Sequence, residues 1–388
     1  MKMTKYIIAA MVAPLLAACS DDDLGPTIFP DVSDQPDPSS YTYKFDRWLN
    51  ENFRDVYNLD FKYLMEDVEA DMNYNLVPAT YDNARDLALL TKYLWFDSYK
   101  ELTGEDFLKS YGPRILHLVG SPAYNPNTGT ETLGLAEGGL KVTLFKVNEM
   151  DLSDFNMLNE YYFRTMHHEF GHILHQTKSY PTDFNNLSTG LYDEGSWQSK
   201  QPGYVASLGF ITPYASSQAR EDFAETIANY VTRTDEQIEL IYWMAKRGWT
   251  TGNELGAGEL EDDDALYYCY YYLTDPSNPE SKEYFLYSME KRGGLYQMGL
   301  VGLGGEYLTT VQEVEDYLEE VRKTRDIYPV EDKDNKDGYD IIRQKQSIVR
   351  NWFTDQWKIS FDDLRAIVMR RQADFDINEL RKQVDEIQ

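Results

Sequence analysis

The stretch that most constrains this chain is MHHEFGHILHQ, residues 166–176, which contains His168-Glu169-Phe170-Gly171-His172, an HExxH pattern. On a helix, positions four apart share a face, so His168 and His172 point the same way and can reach one metal ion. Zinc suits two imidazoles, at roughly 2.0–2.1 Å per Zn–N bond. Glu169, beside the first histidine, is placed to take a proton from an attacking water. The pattern also arises by chance on amphipathic helices, where the histidines are ordinary helix-face residues. Its surroundings argue otherwise, because Tyr161, Tyr162, Phe163 and Met166 before it and Ile173 and Leu174 after it make the segment largely apolar. Buried polar groups are costly without partners, and a metal gives these a reason to be there.

A catalytic zinc needs a third protein ligand and an open position for water. His175 lies seven residues from His168, a rise of roughly 10 Å along a helix, which is too far to share that ion. His175 therefore reads as a packed or hydrogen-bonded histidine. The pattern HExxHxxGxxH is excluded, since it needs Gly at 175 and His at 178, where this chain has His175 and Lys178. His117, alone on an expected strand, reads as a core residue. What remains is an acid on a later helix. Glu221 and Glu225, in the run EDFAE, are four apart and share a face. One can bind the metal while the other accepts a hydrogen bond from a ligand histidine's second nitrogen. A solvated acidic helix edge is the competing reading; Phe223, Ala224, Ile227 and Ala228 point to a packed helix, which weakens that reading without removing it.

The chain has 388 residues, enough for one large or two modest domains. Its formal net charge is −29, from 37 Lys and Arg against 66 Asp and Glu. That balance argues against a nucleic-acid partner, which needs a basic footprint. Two cysteines, Cys19 and Cys269, leave no disulfide framework to expect. The 31 tyrosines suggest a tyrosine-rich core. Lys2 and Lys5, an apolar run over residues 7–16 and the ending Leu16-Ala17-Ala18-Cys19 read as a targeting segment too short to span a bilayer. The LAAC ending resembles a bacterial lipobox, which implies cleavage before Cys19 and a lipid on that cysteine. The following Ser20-Asp21-Asp22-Asp23 is similar to the surface-export signal of Bacteroidetes lipoproteins.

The expected organisation is a leader over residues 1–18, a flexible Asp-, Pro- and Ser-rich tether over 19–40, a catalytic domain over 41–235 and a helical region over 236–388 packed on it. Helices are expected around Phe45, Trp48, Leu49 and Phe53, over residues 83–102, over 160–177 and from Ser217, which is a plausible N-cap. Thr234 and Gln237 resemble a capping box opening the next helix. Residues 115–119 and 140–147 read as strands flanking a Gly-rich loop, with residues 140–144 a candidate substrate-binding edge. Residues 181–203 read as a long loop, and residues 332–338 as a solvated turn without calcium-ligand spacing.

HEFGH, a Tyr-containing loop, and EDFAE with Tyr214 seven residues before Glu221 together resemble the catalytic domain of anthrax lethal factor, a gluzincin. The resemblance implies that His168, His172 and Glu221 bind zinc, that Glu169 is the general base and that Tyr214 helps hold the developing oxyanion, leaving Glu225 to the outer shell. It covers about 60 residues. With the lipobox and GFITPYA added, most of the chain is similar to zinc metallohydrolase lipoproteins of Bacteroidetes associated with SusC/SusD-type, TonB-dependent importers. That likeness implies an α+β, zincin-like metalloprotease fold with a mainly helical C-terminal part. It also implies a Zn2+ cofactor and a lipid-anchored, surface-exposed place at the outer membrane, with a peptide or glycoprotein substrate. A ligand-binding accessory of the importer with little or no catalysis is the alternative, and a zinc hydrolase acting on a non-peptide bond is a third reading.

Overall fold

Phe45, Trp48 and Phe53 fall on one side of the first helix, α1 (Tyr43–Leu49), which runs on through a π turn, Asn50–Arg54. All three are buried. The computed structural model describes residues 36–65, 76–124, 131–132, 134–137, 141–251, 266–291 and 297–388. The leader and most of the tether, with Cys19, lie outside the described residues. By their contacts residues Met1–Tyr43 and Lys44–Gln388 form two units, and the architecture below is that of the second.

Four strands form the first sheet: β1 (Asp60–Lys62), β2 (Ile115–Leu118), β3 (Gly134–Glu137) and β4 (Lys141–Leu144), in the order β1-β2-β4-β3. β1 and β4 run parallel to β2, and β3 returns antiparallel along β4 with Glu137 opposite Lys141. Residues 141–144 are thus an interior strand, and the outermost position belongs to β3. The expectation of an edge at 140–144 fails because part of the Gly-rich stretch before it is itself a strand that pairs with β4. Beside the sheet runs a long helix, α2 (Tyr81–Leu90), continued by a π turn, Thr91–Phe96, and by α3 (Asp97–Thr103). Its apolar spacing puts Leu87, Leu90, Leu94, Trp95 and Tyr99 inside.

Next come α4 (Arg164–Thr177), entered through a π turn at Asn159–Phe163, and α5 (Ala219–Thr232). Met166, Phe170 and Leu174 form the buried face of α4, and the Phe170 ring meets Trp95 at 5.7 Å and Tyr99 at 5.0 Å. Residues 181–203, expected as loop, hold short helical turns at Asp183–Asn186 and Trp197–Ser199 and the start of a helix at Pro202–Ser207. Ser217 is not the N-cap of α5; Gln218 is, without a side-chain bond. The amide of Ser217 closes the preceding turn on Tyr214 O instead, which holds Ser217 in helical rather than extended backbone. The Thr234–Gln237 capping box does open α6 (Asp235–Ala245).

The C-terminal part is mainly helical, with α7 (Val311–Arg322), α8 (Gly338–Trp352), α9 (Phe361–Asp374) and α10 (Ile377–Asp385). It also contains a second sheet that the sequence did not lead us to expect. Its long strands are β5 (Tyr267–Leu273) and β6 (Lys282–Met289), antiparallel, with shorter strands at Gly299–Val301, Tyr307–Leu308 and Ile327–Pro329. Helices α8 and α9 pack on α5, where the Trp352 ring meets Phe223 at 5.1 Å and Phe361 stacks on Tyr230 at 4.9 Å. One core gathers α1–α5 with α8–α10, and another the second sheet with α6 and α7. Among the described residues no helix is long and apolar enough to cross a membrane.

Candidate metal centre

Helices α4 and α5 lie against each other because both present small residues at the contact. A Cβ on Gly171 would sit 3.3 Å from Ile227 Cδ1 and 3.6 Å from Ala224 Cα, which leaves no room for a side chain beyond a methyl group. With Phe170 turned into the core, His168 and His172 face α5. Their Nε2 atoms are 3.0 Å apart, and Glu221 Oε2 lies 3.2 Å from the first and 3.0 Å from the second. One ligand atom from each of these three residues lies within 4.8 Å of the others.

The other nitrogen of each histidine is already engaged. Glu225 Oε1 is 2.8 Å from His168 Nδ1. An ionised carboxylate only accepts, so His168 Nδ1 carries a proton, and Nε2 is the nitrogen on which a metal would take the place of a proton. Glu225 Oε2 in turn accepts from Thr212 Oγ1 at 2.6 Å and from Asn229 Nδ2 at 3.1 Å. His172 Nδ1 is 2.8 Å from His175 Nε2. His175 is therefore the hydrogen-bonded histidine expected, outside the converging group. The three donors fit a zinc ion: two imidazole nitrogens and a carboxylate oxygen, each with its second atom held.

The charges agree with this assembly. Burial opposes a charge on His168, but the hydrogen bonds to Glu221 and Glu225 outweigh it and raise its pKa to about 10. Burial also works against ionising Glu225, yet His168 wins and its carboxyl falls to about 2. Glu221 is likewise held well below the usual carboxylate range, burial being overcome by His168 and His172. Burial raises Glu169, with the two histidines opposing. Desolvation takes His175 down to about 4, so it is neutral when it meets His172.

Tyr214 opens a 3₁₀ turn, Tyr214–Ser216, directly after Pro213. Its ring centroid is 5.7 Å from that of His168 and 4.8 Å from that of Trp197. Burial and then the charges of Glu221 and Glu225 push its phenol pKa up, so it is a donor at any ordinary pH. Arg220 Nε donates to Glu221 Oε1 at 3.0 Å and leaves Oε2 to face the histidines. His117 is buried on β2 and is not one of the three converging residues. The structure thus gathers His168, His172, Glu221, Glu225 and Tyr214. Sequence reasoning missed Thr212, Asn229, Arg220 and Trp197. Asn229 was findable, because it lies one turn after Glu225 on the same helix face; Thr212 and Trp197 come from loops with no periodicity to read.

Residues 39–272 match the model of a family described as "putative zinc-binding metallo-peptidase". The chain belongs to that family. A crystal structure of a "putative zinc-binding metallo-peptidase" from Bacteroides caccae is similar to it, at 32% identity and a TM-score of 0.57, covering 93% of this chain and 100% of that one. No curated protein matches the chain. Zinc is the metal of this family, and among the described residues His168, His172 and Glu221 form a group that could hold it. Membership of the family makes the chain a zinc hydrolase of the metallopeptidase type.

Proposed function

We propose that this protein is a gluzincin-type peptidase in which His168, His172 and Glu221 hold one zinc ion and Glu169 is the general base. The observation that carries the reading is the convergence of His168 Nε2, His172 Nε2 and Glu221 Oε2 within 4.8 Å on two packed helices. When bound there, zinc supplies a Lewis acid for the scissile carbonyl and a more acidic water. Glu169, next to His168 on α4, takes the proton of the attacking water and passes it to the leaving amine. Burial raises its carboxyl above the ordinary carboxylate value, with His168 and His172 opposing. Tyr214 donates to the oxyanion as the carbonyl becomes tetrahedral. Glu225 holds His168, with Thr212 and Asn229 fixing Glu225 in turn. A module that only binds ligand has no use for Glu169, which speaks against the accessory reading.

The test is elemental analysis of purified protein supplied with zinc, run beside digestion of a peptide library. One zinc per chain and cleavage are expected, with zinc lost in His172→Ala. In Glu169→Gln zinc stays and the cleavage rate falls by about 10²–10⁴. No bound metal, or full activity in Glu169→Gln, refutes the assignment. The lipobox at Cys19 supports a lipid anchor at the outer membrane beside a SusC/SusD-type importer, with peptides or glycoproteins as substrates. Cys19→Ala should then release the protein from membrane fractions, and unchanged attachment counts against the anchor.

A further inference from the structure

Lys345 sits in the middle of α8, more than a hundred residues after the last residue of the metal centre, and beyond residues 39–272 that match the family. Its side chain is 1% exposed. Nζ lies 2.6 Å from Asp222 Oδ2 and donates to Gly209 O at 2.8 Å. The ammonium also lies 4.2 Å from the centre of the Phe210 ring. Asp222 is fully buried, and the Tyr192 hydroxyl donates to the same carboxylate oxygen at 2.9 Å.

The two partners of Lys345 belong to two of the segments that carry the site, those of Glu221 and of Tyr214. Asp222 follows Glu221 in the first turn of α5. Gly209 begins the run through Thr212 and Pro213 to Tyr214. Gly209 has φ of +92°, and the place of its missing Cβ is taken by Ile341 Cγ2 of α8, only 2.3 Å away. Helix α8 is thus fitted to this segment by shape as well as by charge. Asp193, next to Tyr192, donates its amide to Ser216 O at 2.8 Å and fixes the far end of the Tyr214 turn.

Burying an ion pair is a poor way to gain stability, because desolvating two charges offsets most of their attraction and apolar side chains of the same volume do as well. What an ion pair adds is direction. We propose that Lys345 is a positioning residue for the zinc site: through Asp222 and Gly209 it holds Glu221 and Tyr214 in fixed register with each other. The proposal rests on the zinc-peptidase reading above. Charge develops between the metal ligands and the Tyr214 phenol only near the transition state, so a small drift of one segment against the other costs turnover more than substrate binding. A misplacement of about 1 Å is worth on the order of 10²-fold in rate.

The experiment compares wild type, Lys345→Met and the double variant Asp222→Asn with Lys345→Met. It uses a peptide that the wild type cleaves, zinc content, thermal unfolding, and the visible absorption of cobalt(II)-substituted protein as a reporter of ligand geometry. Lys345→Met alone strands a buried carboxylate and should lower Tm. The double variant leaves no lone charge, so it answers the question even where the single variant does not fold. The expected result is a double variant that recovers Tm and binds one zinc, yet has kcat lowered about tenfold or more. Its KM should stay within about threefold and its cobalt absorption should be altered. A double variant with wild-type kcat and an unchanged cobalt spectrum overturns the proposal and leaves Lys345 a packing residue. A wild type that takes up neither zinc nor cobalt overturns the underlying zinc reading instead, and the proposal with it.

Discussion

At the scale of single residues, the centre is a set of groups whose second atoms are all committed. His168 gives Nδ1 to Glu225, His172 gives Nδ1 to His175, and Glu221 gives Oε1 to Arg220. Each commitment turns the remaining atom toward the same point. Glu225→Gln should therefore keep the fold but weaken zinc binding by about 10–100-fold, because the amide neither fixes the His168 tautomer nor raises its basicity. Competition with a chelator reads this directly, and an unchanged affinity would show that Glu225 is incidental. Tyr214→Phe tests a different group. It keeps the ring beside His168 and Trp197 and removes one hydroxyl. Zinc content and KM should hold while kcat falls by about 10²–10³, the usual cost of one oxyanion donor. Wild-type turnover would make Tyr214 a core residue. Helical period alone points to His168, Glu169 and His172 and to the pair Glu221 and Glu225, whereas the choice of Glu221 as ligand and the part given to Tyr214 rest on the resemblance to lethal factor. Thr212, which joins Glu225 to the Tyr214 turn, could be named by neither route, because that contact is made only by the fold.

Among the elements, the decisive contact is α4 against α5. Gly171 allows it, with Ile227 Cδ1 at 3.3 Å from where a Cβ would stand. Alanine there asks only a flexible side-chain tip to yield by a few tenths of an ångström. Gly171→Leu must move a helix, which takes Glu221 away from the two histidines. We expect that variant to lose zinc, with overpacking costing about 1–3 kcal/mol of stability. Wild-type zinc content in a folded Gly171→Leu protein would show that the helix contact does not set the ligand spacing. The helices were legible because their apolar residues recur at helical period; α2, α4 and α6 begin within a few residues of where the sequence places them. The second sheet was not. In β5, Tyr267–Leu273, tyrosines occupy both faces, so no two-residue alternation marks a strand. Cross-strand pairing explains them: Tyr268 faces Tyr287, Tyr270 faces Phe285 and Tyr271 faces Tyr284. The hidden edge of β4 is the same kind of miss, since the glycines before it concealed β3.

Across the whole second unit, Glu290 is the residue that ties the catalytic helices to the second sheet. It follows β6 directly, and its Oε1 accepts from Arg164 Nη1 at 3.0 Å and from Arg233. Arg164 opens α4 and Arg233 closes α5, so one carboxylate clamps both helices of the metal centre. Glu160 shares Arg164 from the other side. Burial favours the neutral acid at both positions. At Glu290 the two arginines win and its pKa falls to about 2, whereas at Glu160 burial wins and the pKa rises. A carboxyl whose pKa is lower folded than unfolded stabilises the fold above its unfolded value, near 4.5, and loses that contribution as pH falls toward its folded value. For Glu290 the window therefore opens near pH 4.5 and runs down toward about 2. Glu160 has the opposite sign; protonating it on the way down relieves a cost, so it cannot produce an acid loss. The expected result, measured by urea unfolding of metal-free protein, is that Glu290→Gln is less stable than wild type at pH 7. The gap between the two proteins should then close as pH drops from 4.5 to 2. Removing the metal is essential, since protonation of His168, His172 and Glu221 would otherwise release zinc and mask the effect. A gap that stays constant across that range would mean that Glu290 acts through packing, and that the clamp between the metal helices and the second sheet is not ionic.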